Sequence, residues 1–341
     1  MRLKVWFGPL VVLAVLLAGT GYWFWWQGAA DRLAAGFDRW VEARRAEGIM
    51  IDHGPVDVGG FPYRLTLRLD NAAIALPGQP GAPEWSADRV EIYFQPWEKG
   101  HAVIGIEGQQ RFGWDGPQGR RAANARTDST YASLRFDDAG TPETFALDAR
   151  EVKVTGDVPL QAMQRFQVHA RANRGEDPDR PAGSLNLATH GDGITLAEGA
   201  SPLGTDIAIA RISTLVRPEP AGTTPEQLDA WRDAGGVIDI LGLEITTKAL
   251  GITGDGTVAL DEQRRPEAAG VLVVRGAANL VDALAASGVV KPYAGVGLKI
   301  AIAAMERPDD KGTPTINLPW TIQNGELSAL DIRLVKVAPL Y

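Results

Sequence analysis

The chain has 341 residues, a formal net charge of −8 and a hydrophobic share of 45%. That size and composition exclude a peptide-like scaffold and wholesale disorder. The absence of cysteine excludes disulfides, thiolate metal sites and cysteine nucleophiles, and the acidic balance argues against a nucleic-acid partner.

Arg2 and Lys4 open the chain, and no charged residue follows until Asp31. At 1.5 Å per residue the run from Val5 to Trp26 reaches about 33 Å, enough for a bilayer core of about 30 Å. Trp6 and Phe7 stand at one end, and Tyr22, Trp23, Phe24, Trp25 and Trp26 at the other, as in an aromatic belt. Residues 1–26 therefore read as a transmembrane signal anchor. A cleaved signal peptide is the alternative, with Gly19 and Gly21 as small residues near the cut; the bulky aromatics that follow weigh against it. The basic start places the N-terminus in the cytoplasm and the main domain outside. The expected location is a single pass of a bacterial inner membrane, with the main domain in the periplasm.

Residues 27–48 read as a helical stalk. Leu33, Phe37, Trp40, Val41 and Arg44 follow three-and-four spacing, and Gly48 is the stop. This helix either stands at the membrane interface or packs on the sheet that follows. From residue 49 the period changes to two. Tyr63, Leu65, Leu67 and Leu69 alternate with Arg64, Thr66, Arg68 and Asp70, which predicts a strand with one apolar and one polar face. Further strands are expected at 90–94, 103–107, 131–136, 144–149, 166–172, 184–189 and 205–216. The polar, proline-bearing stretch 174–181 is a loop that divides the β-rich domain 49–341 into halves 49–175 and 182–341.

In the second half, Thr224, Pro225 and Gln227 make a capping box for a helix carrying Leu228 and Trp231, ended by Gly235 and Gly236. Strands are expected at 237–247, 251–260 and 270–276. Asn279 is expected to cap a helix running to Ala286, stopped by Gly288, and 296–305 reads as another. A closing hairpin joins 315–323 to 326–337 through Asn324-Gly325, the favoured type I′ pair. The fold class is α+β, mainly β: a single N-terminal transmembrane helix, then an extended or curved, mostly antiparallel sheet with a few short helices.

The candidates for chemistry are sparse. His53, His101, His169 and His190 lack metal-ligand spacing. Gly191-Asp192-Gly193 and Gly254-Asp255-Gly256 read as hairpin turns in preference to metal-bearing ones. No phosphate-binding glycine fingerprint or nucleophile elbow is present. Trp85, Trp97, Trp114 and Trp231 suit either a hydrophobic groove or a core. Arg64 and Arg68 suit either lipid phosphates or a solvated sheet face. In Gly59-Gly60-Phe61-Pro62-Tyr63-Arg64, the glycines permit an unusual backbone angle and Phe61 before Pro62 is held extended, so the motif can form a corner.

Several segments together resemble a known family. They are Val58-Gly59-Gly60-Phe61-Pro62-Tyr63-Arg64, residues 228–236, Gly254-Asp255-Gly256-Thr257 with Arg265-Pro266-Glu267, and Asn324-Gly325 with the closing Ala338-Pro339-Leu340-Tyr341. The family is the bacterial domain of unknown function numbered 2125, found mainly in alphaproteobacteria. Thr247-Lys248-Ala249 departs from its Trp-Gly-Pro. The resemblance carries over no catalytic residues. A looser similarity to AsmA-like membrane-anchored periplasmic proteins implies an apolar β-groove facing lipids. The expected function is a non-enzymatic binding module for lipid or another hydrophobe. It would use no cofactor and no metal, and its structural motif or groove is marked by Gly60, Phe61, Pro62, Tyr63, Arg64 and Trp231. The alternative is a structural or interaction protein of the cell envelope, with envelope proteins as partners. A hydrolase built on paired carboxylates is a third reading.

Overall fold

The computed structural model describes residues 7–95, 97–98, 100–175, 181–286, 288, 292–308, 312–329 and 332–341. Helix α1 (Phe7–Ala46) runs unbroken for 40 residues, about 60 Å at the α-helical rise. Its two halves have different surroundings. Val11, Val12, Leu13, Val15, Leu16 and Leu17 are all exposed, whereas Trp26, Ala30 and Val41 are buried. Leu33 and Phe37 pack on the sheet, so the second half lies on the β-rich domain. The helix stops before Gly48, at φ +86°, and Arg45 donates to the Ile51 carbonyl from Nη2 (2.6 Å) and Nε (3.0 Å). Among the described residues no helix is long and apolar enough to cross a membrane. The apolar part of α1 is confined to its first half. The expected span begins at Val5, and Arg2, Lys4, Val5 and Trp6 lie outside the described residues.

Among the described residues, eighteen strands form one sheet in which every pairing is antiparallel. At one edge β1 (Met50–Asp52) and β2 (Val56–Gly59) both pair with β3 (Leu65–Ala75). Next come β4 (Glu84–Phe94) and the long β5 (His101–Gly116). Two shorter strands, β6 (Gly119–Arg126) and β7 (Ser129–Phe136), share the next place, each pairing with β5 and with β8 (Pro142–Gly156). The sheet continues through β9 (Leu160–Asn173), β10 (Ser184–Leu196), β11 (Asp206–Arg217), β12 (Val237–Thr246), β13 (Gly251–Leu260) and β14 (Pro266–Arg275). It closes with β15 (Arg307–Pro308), β16 (Pro314–Gln323), β17 (Glu326–Ala329) and β18 (Ile332–Lys336). Helix α2 (Pro225–Asp233) joins β11 to β12, and α3 (Ala277–Ala286) and α4 (Pro292–Met305) lie between β14 and β15.

The antiparallel sheet and the short late helices match the sequence reading, and most expected strands are simply longer than expected. The Thr224 capping box and Pro225 at the helix start are present. At the Asn324-Gly325 turn both residues have positive φ (52° and 72°), as a type I′ turn requires. Four expectations need correction, and one strand was missed. Tyr63 and Arg64 lie in a turn before β3, because the preceding corner leaves them no strand partner. The second arm of the last hairpin is two strands, since β18 folds back on β17. Helix α3 begins two residues before Asn279, whose side chain instead donates to the Ala249 carbonyl. Both Gly-Asp-Gly segments lie inside strands β10 and β13, where neighbouring backbone and side chains leave no room for a Cβ at Gly254. The polar strand β6 had no alternation to reveal it.

The loop at 174–181 joins β9 to β10, which pair from Ser184↔Asn173 to Leu196↔Leu160; residues 176–180 of it lie outside the described ones. The sheet is strongly curved. Thr223, after β11, donates its hydroxyl to Gln79 Oε1 in the β3–β4 turn at 3.1 Å. On a flat sheet six strand spacings of about 4.8 Å would separate them by about 29 Å, and they would sit at opposite strand ends. Twist turns the strand ends toward each other without shortening that separation, so the sheet also coils to bring them together.

Among the described residues, cores lie at the two ends of this sheet, and Trp26, Ala30 and Leu65 extend the one under α1. Near the first edge, Leu67, Leu69, Ala72, Ala87 and Val90 pack under Leu33 and Phe37 of α1. Near the other, Ile252, Val274 and Ile316 pack under Val281 of α3 and Ile302 of α4. Leu67 is only 1% exposed. Truncating it to alanine removes buried methyls and leaves a cavity, so Leu67→Ala is expected to cost about 2–5 kcal/mol. Denaturant unfolding followed by far-ultraviolet circular dichroism checks this.

Candidate functional site

The Gly60–Arg64 segment forms a corner that ties the sheet to α1. Gly60 has φ +100°, and a Cβ there would lie 2.7 Å from the Arg64 carbonyl oxygen, so only glycine fits. The Phe61-Pro62 peptide is cis. Two aromatic side chains of α1 reach the corner: the Tyr22 hydroxyl donates to the Pro62 carbonyl at 2.5 Å, and Trp26 Nε1 donates to the Arg64 carbonyl at 3.2 Å. The Phe61 ring meets Trp26 edge-on at 5.6 Å and tilts against Tyr22 at 5.9 Å. Arg64 places its guanidinium 4.9 Å over the Tyr93 ring. The Tyr93 hydroxyl donates to Glu91 at 2.5 Å. Burial, and then that bond to a carboxylate, push the phenol up to about 12.

Trp231 belongs to a second corner. It is buried, and its Nε1 donates at 2.7 Å to the carbonyl of Pro218, which follows the other cis peptide, Arg217-Pro218. Its ring lies so close to Gly236 that a Cβ there would overlap it. Among the described residues no hydrogen bond or ring contact joins Trp231 to the Gly60–Arg64 corner. Next to it, Arg264 grips Asp229 with two bonds of 2.6 and 3.1 Å, and Tyr341 donates to the same carboxylate at 3.2 Å. Arg264, then the Tyr341 bond and Arg232, hold the Asp229 carboxyl below the usual range. Both corners thus use an aromatic donor on a helix to bind a carbonyl at a proline, and both read as architecture.

The feature that sequence reasoning left unresolved is the sheet's apolar face. Residues directly paired across strands share a face. Following the pairings from Leu67 gives Ile92, Ile104, Ala132, Leu147, Val168, Thr189, Ile212, Leu243, Gly254, Leu272 and Leu318. One row therefore crosses the sheet from β3 to β16 with no charged residue. A parallel row runs from Leu65 through Phe94, Ala102, Leu134, Phe145, Ala170 and Leu187 to Thr214 and Ile240. The opposite face carries ion pairs between neighbouring strands, among them Arg68–Glu91, Arg165–Asp148 and Arg211–Glu244. Arg68 is thus spoken for.

Among the described residues, helix-covered cores lie at the two ends of the apolar face. In between, Phe145, Leu147, Phe166, Val168, Leu187, Ile212 and Leu243 are half-buried and belong to neither core. Beyond the C-terminal end of α1 the face opens into a cavity of about 810 Å³. The paired residues Ile74, Trp85, Phe112 and Ala123 line it, with Met50 and Ile51 at the rim. Trp85 thus lines a cavity, whereas Trp114 faces Arg121 on the surface. The cavity falls within the usual size range for small-molecule sites. Among the described residues no group of three or more His, Asp or Glu side chains is placed to hold a metal. His190 bonds Asp192 at 2.8 Å and His101 bonds Ser133 at 2.9 Å.

A family model described as "Uncharacterized protein conserved in bacteria (DUF2125)" matches residues 23–338. The chain belongs to this family. The match takes in both corners of this DUF2125 protein, its sheet and the short helices. No curated protein and no solved structure matches the chain.

The Asp229 cluster has a pH signature. Its folded pKa is depressed, so the charged carboxylate adds stability above the unfolded value of about 4 and loses it as pH falls through the folded value. Wild type and Asp229→Asn are expected to differ most in thermal midpoint near neutrality, and to converge as pH falls below about 4. Calorimetric scans across that range check it.

Proposed function

We propose that the protein is a non-enzymatic, inner-membrane-anchored binding module whose apolar sheet face carries acyl chains in the periplasm. One observation carries the reading: rows of uncharged side chains cross the sheet without interruption, and their middle is left half-buried with no helix core over it. A face of that extent needs an apolar covering, and an acyl chain laid along the rows, with the face as its trough, supplies one. The anchor is part of the same proposal. The exposed Val11–Leu17 stretch of α1 suits a bilayer, and the same helix continues into the core under the sheet's first edge.

Energetics favour shuttling over tight storage. Bringing a chain through water costs about 0.8 kcal/mol per methylene, whereas exchanging a bilayer for an apolar trough is close to neutral. Lipid can therefore enter and leave without a deep trap.

The test is lipid analysis of the full chain, purified gently from membranes. Bound acyl lipid is expected with the wild type and a several-fold loss with Ile212→Glu or Phe166→Glu, which place a charge on the half-buried rows. Wild-type protein free of lipid, or variants that retain it, would contradict the proposal.

A further inference from the structure

The corner at the foot of α1 is exposed in a way its structural role does not require. Phe61 is 48% exposed, Tyr63 77% and Trp97 67%. They come from two separate loops, the turn before β3 and the β4–β5 connection. The loops adjoin because Leu65 pairs with Phe94. Tyr63, Arg64 and Trp97 line one shallow pocket of about 590 Å³ with Tyr93 and Tyr131. Tyr93 and Tyr131 have a local explanation: their rings flank Gly105 and cover the gap left by its missing side chain. Tyr63 and Trp97 have none, and Phe61 keeps its outer side open although it packs on Tyr22 and Trp26.

The height of this patch along α1 is fixed. Tyr22 and Trp26 bond the Pro62 and Arg64 carbonyls, so the patch lies level with Trp23, Phe24 and Trp25, which are also exposed. Aromatic rings with one polar edge favour the headgroup zone of a bilayer. The charge fits as well. Glu98 is taken by Arg135 at 2.9 Å and His101 at 3.1 Å, and Glu91 by Arg68 at 2.8 Å. Among the described residues no carboxylate pairs with Arg64, whose guanidinium lies over a ring at the surface.

From this we infer that the patch Phe61, Tyr63, Arg64 and Trp97 is a second membrane contact. It seats the foot of the sheet in the headgroup layer of a phospholipid bilayer, with Arg64 facing lipid phosphate. The inference rests on the anchored reading proposed above and adds a docking surface on the β-domain itself. A sheet held this way has its first edge pressed to the bilayer and cannot swing freely about α1.

The absence of cysteine makes the test direct. Single cysteines at Val12, Tyr63, Trp97 and Asp206 are labelled with a nitroxide in the full chain. The chain is reconstituted in vesicles of phosphatidylethanolamine and phosphatidylglycerol. Accessibility to oxygen and to an aqueous nickel complex then reports depth. Labels at 63 and 97 are expected to shift toward the interface relative to the label at 206, and Arg64→Glu is expected to move the label at 97 back toward water. Labels at 63 and 97 as aqueous as that at 206 would overturn the docking surface, whatever the label at 12 reports. An aqueous label at 12 would instead overturn the anchor. No response to Arg64→Glu would overturn the phosphate contact.

Discussion

Everything in this molecule depends on keeping one face of a very long sheet apolar. Side chains alternate strictly along a strand, so a single slipped residue would turn every later apolar group to water. The sequence does slip, and the backbone absorbs it. Leu69 and Ala72 are three residues apart, as are Ala87 and Val90, yet all four enter the same core. The break falls at Asn71, with φ +53°, beside an irregularity at Ala87/Arg89 and Gly108 with φ +81°. A Cβ at Gly108 would meet Asp88 at about 2.7 Å, so a glycine is required there. In β12, Ile240 and Leu243 stay on one face because Leu241 bulges out between them and is 55% exposed. These bulges keep the phase of the apolar rows from β3 to β16.

The same constraint explains the placement of the helices. A sheet with one wet and one apolar face must cover the latter. Helix α1 covers one end and the α3–α4 pair covers the other, while interstrand arginine–carboxylate pairs decorate the wet side. The middle of that face carries no helix core, and the Gln79–Thr223 bond marks where curvature brings distant strand ends together. Tyr22 and Trp26 bind the sheet's first corner to the helix whose other half is an apolar sleeve. In the proposal, an acyl chain covers the rows that the helices leave open, beside the helix proposed as the anchor.

Much of the architecture was legible from alternation and turn chemistry. The capping box at Thr224, the Asn324-Gly325 turn and the strand at Leu65–Leu69 declare themselves because each is a local pattern with a local cause. The Gly60–Arg64 motif was legible as a corner, since Gly60 and Pro62 restrict the backbone where they stand. What it binds was not legible, because Tyr22 and Trp26 are about 40 residues away in sequence. The two Gly-Asp-Gly segments misled for the same reason: the groups that forbid a side chain at Gly254 come from β14. Polar β6 carries no period to read. The continuous apolar face was hidden because it is a property of register. Phe166, Val168, Ala170 and Ala172 alternate plainly, yet only pairing shows that Val168 continues the row begun by Leu67 and Ile92, and Ala170 the row begun by Leu65 and Phe94.

In the proposed function the half-buried rows, and not the charged face, meet acyl chains. Neighbouring residues on β11 separate the two directly: Ile212 lies in the apolar row, while Arg211 on the other face pairs with Glu244. A photoreactive amino acid placed at each position in turn, in the full chain within its native membrane, reports what touches that face. Lipid is expected to cross-link from position 212 and not from 211. Equal cross-linking from both positions, or none from 212, would contradict it.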